Sequence, residues 1–139
     1  MNSATARTVR EACGLAHRDI ADALNINVRT VQRWESVASE EDIPPYAEQY
    51  YLECLDWLTT TVATVVDSVL DEAEQSGDPR VVNLSRYVNQ NSAHQAGFTR
   101  PVNLHSAAQA HILALLYEAG INCQVEYVPI ARIPESEQQ

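Results

Sequence analysis

The chain has 139 residues, 45% of them hydrophobic, and a net charge of −10. This length predicts one domain, or two small ones that share a core, and no apolar run approaches the roughly 20 residues of a membrane span. The N-terminus lacks the apolar core of a signal peptide, and the three cysteines (Cys13, Cys54 and Cys123) lie in apolar patterns, so we expect buried free thiols in a cytoplasmic protein.

Three short helices are predicted at the N-terminus. The first runs from about Ala4 to Cys13 and ends at Gly14, the second from about His17 to Leu24, and the third from about Val28 to Val37. Asn27 is a good N-cap for the third helix, whereas alanine at position 16 is a poor one for the second.

The segment 14–35, GLAHRDIADALNINVRTVQRWE, is the most informative part of the chain. Two helical patterns meet there at the three-residue turn 25–27. Their inward positions are Ile20, Ala21, Leu24, Ile26, Val31 and Trp34. Four residues of the second helix are left facing outward: Val28, Arg29, Gln32 and Arg33. Two helices that cross at a tight turn, with a short outward-facing set on the second, are typical of a helix-turn-helix DNA reader.

The outward-facing residue types suit the edges of base pairs. Arg29 and Arg33 lie one helical turn apart, and arginine can grip guanine with two hydrogen bonds in the major groove. Gln32 can pair with adenine, and Val28 can touch a thymine methyl group. The N-termini of the two helices offer backbone N–H groups to phosphates. Side chains that could supplement these phosphate contacts are His17, Arg18 and Thr30.

Residues 9–35 resemble the Cro/C1-type (XRE) helix-turn-helix family of phage and bacterial repressors. The matching residues are Gly14-Leu15, Ile20-Ala21, Leu24, Ile26, Thr30-Val31 and Arg33-Trp34-Glu35. The resemblance implies base contacts from Val28, Arg29, Gln32 and Arg33, a phosphate contact at His17, and a structural ion pair between Arg10 and Glu35. The chain departs from the pattern at Asn25, where glycine is usual, and at Ala16, where a polar cap is usual. Asparagine tolerates the left-handed conformation that such a turn needs, whereas alanine offers a phosphate no side-chain contact.

A long helix is predicted next, from Pro44 and Pro45 to Gln75. Its apolar stripe is close to a heptad seam and comprises Tyr51, Leu55, Leu58, Val62, Val65, Val69 and Ala73. Either a second copy or the C-terminal segment is expected to cover this stripe. The predicted dimer-interface residues are Leu55, Leu58, Val62, Val65 and Val69. A break is possible at Thr59-Thr60-Thr61, because β-branched residues lower helix propensity.

The charges are unevenly distributed along the chain. Residues 1–34 contain five arginines and three acids, residues 35–78 contain twelve acids and no basic residue, and residues 79–139 contain four of each. Because lysine is absent, every cationic contact to DNA must come from arginine. Few cations with bidentate geometry favour specific over bulk electrostatic binding, although a biased genome composition would also remove lysine.

The C-terminal part of the chain is predicted to form a strand, a helix and a second strand. A strand (Arg80–Val88), a polar loop (Asn89–Val102) and a helix (Asn103–Ala119) precede a second strand (Ile121–Tyr127) with alternating apolar residues. This order suggests a right-handed βαβ unit with two parallel strands. Two strands alone make a poor sheet, so a second subunit could complete it. The tail from residue 134 is expected to be disordered.

The expected fold class is therefore α+β, in three parts. Residues 1–42 form an all-helical helix-turn-helix domain, residues 43–77 a long connecting and dimerisation helix, and residues 78–139 a small βαβ dimerisation domain. Three later segments are IPPYAEQYYLECLDWL (43–58), VNLSRYV (82–88) and PVNLHSAAQAHILALLYEAGI (101–121). In their order they resemble the YdiL-like group and the anti-CRISPR-associated autorepressors, which join such an N-terminal motif to a C-terminal dimerisation domain.

The expected function is that of a homodimeric transcriptional regulator, an autorepressor that recognises an inverted repeat in double-stranded DNA, with no cofactor and no membrane partner. His94, His105 and His111 lack the spacing of a metal site and assemble with no nucleophile, so we expect no metal ligand and no catalytic residue. Two alternatives stay open. One is an antitoxin-like module whose C-terminal half binds a partner protein; the other is an effector sensor or enzyme in which loop 89–102 and its neighbouring histidines line a pocket.

Overall fold

The computed structural model describes residues 1–77 and 81–129, which form a mixed helix and strand fold. Its helices are α1 (Ser3–Ala12), α2 (His17–Leu24), α3 (Val28–Trp34), α4 (Pro45–Ser76), α5 (Gln90–Gln95) and α6 (Val102–Glu118). Its strands are β1 (Val82–Arg86) and β2 (Cys123–Tyr127). The tail predicted to be disordered from residue 134 lies outside the described residues. No helix in the described ranges combines the length and apolar character that a bilayer span requires.

Asparagine side chains cap α1 and α3, and Asn27 is the cap that the sequence predicts for α3, whereas Ala16 gives α2 no side-chain cap. The side chain of Asn2 accepts a hydrogen bond from Thr5 N (2.8 Å), and that of Asn27 accepts one from Arg29 N (2.8 Å). α3 ends at Trp34, three residues earlier than expected. The chain tightens there into a Ser36 N–Arg33 O bond of 3.2 Å, and the Ser36 hydroxyl then accepts from Ala38 N, which offers the backbone an alternative to the helix.

α4 is one unbroken helix of 32 residues, about 48 Å long. The possible break at 59–61 does not occur. The hydroxyl of Thr59 donates to Leu55 O at 3.0 Å, and that of Thr64 donates to Thr60 O at 2.8 Å, so these threonine hydroxyls are satisfied within the helix.

β1 and β2 form a two-stranded parallel sheet whose register runs from Val82 opposite Cys123 to Arg86 opposite Tyr127. The prediction of a polar loop over the whole range Asn89–Val102 was wrong, because the short helix α5 forms within it. Asn89 caps α5 by accepting from Ser92 N at 2.8 Å, while the Ser92 hydroxyl accepts from Asn89 N at 3.2 Å.

One hydrophobic core runs through all three predicted parts of the chain, from α1 to the start of β2. α6 packs along α4, so the C-terminal segment folds back on the apolar stripe of the long helix. Leu58 and Val62 are only 2% and 8% exposed and belong to this core, which corrects their predicted place in a dimer interface. The other residues predicted for that interface are half-buried against the same core: Leu55, Val65 and Val69.

The cysteines differ in burial. Cys13 and Cys54 are buried free thiols, and burial raises the pKa of Cys13 to about 11. Cys123 is only half-buried, at the start of β2, which corrects the prediction of a buried thiol.

The turn between α1 and α2 packs directly on α6 at Gly14. This residue has φ +68°, and a Cβ built there would lie 3.0 Å from Ala107 Cβ and 3.1 Å from Asn103 O. We expect Gly14→Ala to lower the free energy of unfolding by more than the about 1–2 kcal/mol that left-handed backbone costs a residue with a Cβ. Urea denaturation gives the measurement. Gly120→Ala is the matched control, since Gly120 has φ +77° and nothing within 4 Å of its added Cβ. Equal losses in the two variants would contradict the contact with α6.

Candidate nucleic-acid interface

A tight turn fixes α3 against α2. Asn25 ends α2 in the left-handed conformation (φ 54°, ψ 49°), as the sequence predicts for a residue in the place of glycine. Ile26 N then donates to Ala21 O at 3.0 Å, and Ala21 is buried. The small side chain at the helix crossing and the hydrogen-bonded turn together hold the second helix at a defined angle.

α3 presents three polar side chains to solvent. Arg29, Gln32 and Arg33 are exposed, whereas Val28 and Thr30 are half-buried. Val31 is fully buried in the core on the opposite side of the helix. Within the described residues, neither arginine of α3 takes part in an ion pair, so both guanidinium groups are available to a ligand.

Two grooves flank these residues and differ in charge. Gln32 shares a groove of about 310 Å³ with Arg7, Arg10 and His17. On the other side, Arg33 shares a groove of about 390 Å³ with two acids of the α3–α4 connection, Glu41 and Asp42. Arg33 therefore lies in a more acidic environment than Gln32 does.

The side chain of Asp19, a residue of α2 itself, occupies the start of this helix. Asp19 accepts from Ala16 N at 2.8 Å and from Asn103 Nδ2 at 3.2 Å. A carboxylate here already complements the positive end of the helix and opposes a second anion. Of the phosphate contacts predicted for α2, exposed Arg18 is the unobstructed one, because His17 Nε2 lies 3.2 Å from a Glu35 carboxylate oxygen.

Glu35 is the centre of a buried polar network that joins α1, α2, α3 and α4. The structure brings its side chain, 2% exposed, together with Arg10, the partner predicted for it: Arg10 Nε lies 2.8 Å from Oε1 and 3.0 Å from Oε2. Tyr51 donates its hydroxyl proton to Oε2 at 2.6 Å, and Arg10 Nη1 donates to Leu15 O at 2.9 Å. This network fixes the end of α3 to the rest of the protein.

Sequence reasoning missed two residues of this region. Tyr51 was assigned to the apolar stripe of α4, although its hydroxyl completes the Glu35 network, and burial with this hydrogen bond raises the pKa of Tyr51. Arg7 lines the Gln32 groove while its Nε lies 2.7 Å from Glu11 Oε1. Its position three residues before Arg10 on one helix is the signal that could have placed it there.

The histidines suggested for an effector pocket lie apart from one another. His105 packs among Trp57, Tyr87 and Phe98, and burial lowers its pKa. The ring of His111 contacts Ala12 O at 3.2 Å. His94 is exposed and lines an open groove of about 450 Å³ beside α2, together with the polar residues Asp19, Asp22 and Arg100.

Comparison with known families gives no matching family, and comparison with curated proteins gives no matching protein. Within residues 1–77 and 81–129, no three His, Cys, Asp or Glu side chains are grouped so that they could hold a metal ion. The interpretation of this surface therefore depends on its own geometry and chemistry.

Proposed function

We propose that the protein is a sequence-specific regulator that binds double-stranded DNA as a homodimer and represses its own promoter at an inverted repeat. One observation carries the proposal. The short helix α3 is held at its start by the Asn25 turn and at its end by the Glu35 network. It presents Arg29, Gln32 and Arg33 to solvent, and neither arginine has an ion-pair partner among the described residues.

In this proposal α3 lies in the major groove. Arg29 and Arg33 each donate two hydrogen bonds to a guanine, Gln32 pairs with an adenine, and the exposed part of Val28 touches a thymine methyl group. Arg18 contacts a phosphate from the start of α2, and Thr30 does so from the start of α3. Arg7 and His17 line the groove beside Gln32, where each already contacts a carboxylate, that of Glu11 and that of Glu35 respectively.

The proposal of a second copy follows from the small number of positively charged residues in the chain. The chain has nine arginines and no lysine against nineteen acids, so binding depends on a few arginines and on their geometry. Two copies place two such helices in successive major grooves, about 34 Å apart, and require an inverted repeat. Occupancy of such a site would exclude RNA polymerase, which is sufficient for repression.

Selection of bound duplexes from a random-sequence DNA pool tests the proposal. We expect enrichment of an inverted repeat whose half-sites are about 10 base pairs apart, centre to centre. The Arg29→Ala variant is the control, and its selected sequences should lose preference at one base pair of each half-site. A wild-type pool no more enriched than the input pool would overturn the proposed function.

A further inference from the structure

We propose that a second copy of the chain pairs with the free edge of β2, so that two two-stranded sheets join into one four-stranded sheet. This inference rests on the proposed function, which requires two copies. It adds the surface that joins them: the β2 edge and the side of α6 beneath it. The long helix α4, the other candidate surface, has seven acids and no basic residue.

The backbone of β2 has a hydrogen-bonding edge with no partner strand in the part of the chain that the structure describes. Val82 N donates to Asn122 O, and Val128 N donates to Arg86 O, both at 2.9 Å. Because backbone groups alternate in direction along a strand, the even-numbered residues of β2 bond to β1. The N–H and C=O groups of Cys123, Val125 and Tyr127 therefore point to the other edge. Pro129 has no N–H, so it can add no donor to this edge.

The side chains along this edge are only partly covered. In register, Leu84 of β1 lies opposite Val125, so both are on the face that packs toward α6. Leu84 is buried, yet Val125 is 38% and Tyr127 69% exposed. Beneath them lies a groove of about 260 Å³ that Leu113 of α6 also lines, and Tyr117, one turn further along α6, is 82% exposed. Uncovered apolar surface thus runs along β2 and the adjoining side of α6.

The negative charge of α4 disfavours this helix as the surface that joins two copies. α4 has seven acids and no basic residue, so two copies apposed through this helix would repel each other. α6 and β2 each contain a single acid, Glu118 and Glu126 respectively, and Arg86 lines the groove between them. Two copies of this acidic chain therefore repel each other less through the face formed by α6 and β2 than through α4.

Two-fold symmetry then selects one register. If Val125 lies opposite its own copy, all five residues of β2 are paired, and the edge-facing pairs exchange two hydrogen bonds each. In this register Glu126 faces Gln124 of the second copy, whose amide can donate to the carboxylate. A register centred on Glu126 would place two carboxylates opposite each other, which is destabilising. A register centred on Gln124 would pair only residues 123–125.

Sedimentation equilibrium of the full chain tests the inference with matched proline variants. Val125→Pro removes an N–H group from the free edge of β2 while leaving the bonds to β1, so we expect a folded protein with the mass of one chain. Ser85→Pro does the same on the free edge of β1 and should keep the mass of two chains. A wild-type protein with the mass of one chain, or a folded Val125→Pro variant with the mass of two, would overturn the inference.

A second measurement decides the matter if Val125→Pro fails to fold. In a Cys123→Ser background, Val125→Cys should form an inter-chain disulfide on mild oxidation, because the two-fold register brings these positions together. Leu70→Cys, on the exposed face of α4, should not. The reverse result would assign the contact to α4 and overturn the inference.

DNA binding separates this inference from the proposed function. Folded Val125→Pro should bind an isolated half-site as well as the wild type does, but lose about a hundredfold or more in affinity for the inverted repeat. A dimer that survives this substitution while selected DNA remains enriched contradicts only the β2 edge. Failure of the selection experiment contradicts the proposed function, whatever the mass of the protein.

Discussion

Glu35→Ala is expected to destabilise the protein by about 3–5 kcal/mol, the cost of breaking a buried ion pair by removing one partner. The substitution leaves Arg10, whose side chain is 12% exposed, with Glu11 at 4.0 Å as its nearest acid among the described residues. It also leaves the buried hydroxyl of Tyr51 without its acceptor. Since domains of this kind have a total stability of about 5–15 kcal/mol, the loss should be obvious in urea denaturation followed by circular dichroism.

The chain offers a matched control for this prediction. Arg7 and Glu11 form an ion pair with an N–O distance of 2.7 Å, close to the 2.8 Å between Arg10 and Glu35, but both of its side chains are more than half exposed. Glu11→Ala should therefore cost no more than about 1 kcal/mol. If the two alanine variants were equally stable, burial would not be the source of the effect. The double replacement Arg10→Met with Glu35→Leu should recover part of the loss, because no unpaired charge then remains.

The N-terminal helices could be predicted from the sequence because their signals are local. Asn27 caps α3, Asn25 accepts the left-handed conformation, and the spacing of apolar residues sets the inward face of α2. The end of α3 was placed too late, since the competing hydrogen bonds of Ser36 do not show in a pattern of apolar residues. Helix α5 does have a local signal, the capping pair Asn89 and Ser92, which a polar composition obscured.

The partner of an apolar stripe could not be predicted in the same way. Periodicity in α4 shows which residues are inward, but it is the same whether the partner is another copy or another part of the chain. Leu58 and Val62 are covered within the chain, which follows only once α6 is seen to pack on α4. The hydroxyl of Tyr51 raises the same difficulty, because its bond to Glu35 joins residues 16 positions apart in different helices.

Arg29→Ala and Arg33→Ala are each expected to weaken binding to the selected DNA site by about 1–3 kcal/mol, the usual worth of an arginine that grips a guanine. Both side chains are exposed, so neither substitution should change the stability of the fold. Arg33 shares its groove with Glu41 and Asp42, which also attract its guanidinium group. We therefore expect the larger loss from Arg29→Ala, measured by fluorescence anisotropy with a labelled duplex.

Alanine variants of two further arginines distinguish the loss of a base contact from the loss of a positive charge alone. Arg18→Ala removes a proposed phosphate contact, so it should weaken binding to all duplexes alike. The slope of log K against the logarithm of the salt concentration should become shallower by about one. Arg100→Ala removes the same charge from the groove between α2 and the residues around α5, away from α3, and should leave the preference for the selected site intact. In contrast, Arg29→Ala should bring the affinity for the selected site closer to that for random DNA.

The ratio of specific to non-specific affinity is therefore the decisive quantity, because any lost arginine weakens binding to a polyanion. If Arg29→Ala and Arg33→Ala lowered both affinities equally, as expected of Arg18→Ala, α3 would contact phosphates and not bases. Sequence would then have to be read elsewhere on this surface, and the half-buried Val28 and the exposed Gln32 would be the next residues to vary. Unchanged binding by both arginine variants would remove α3 from the interface.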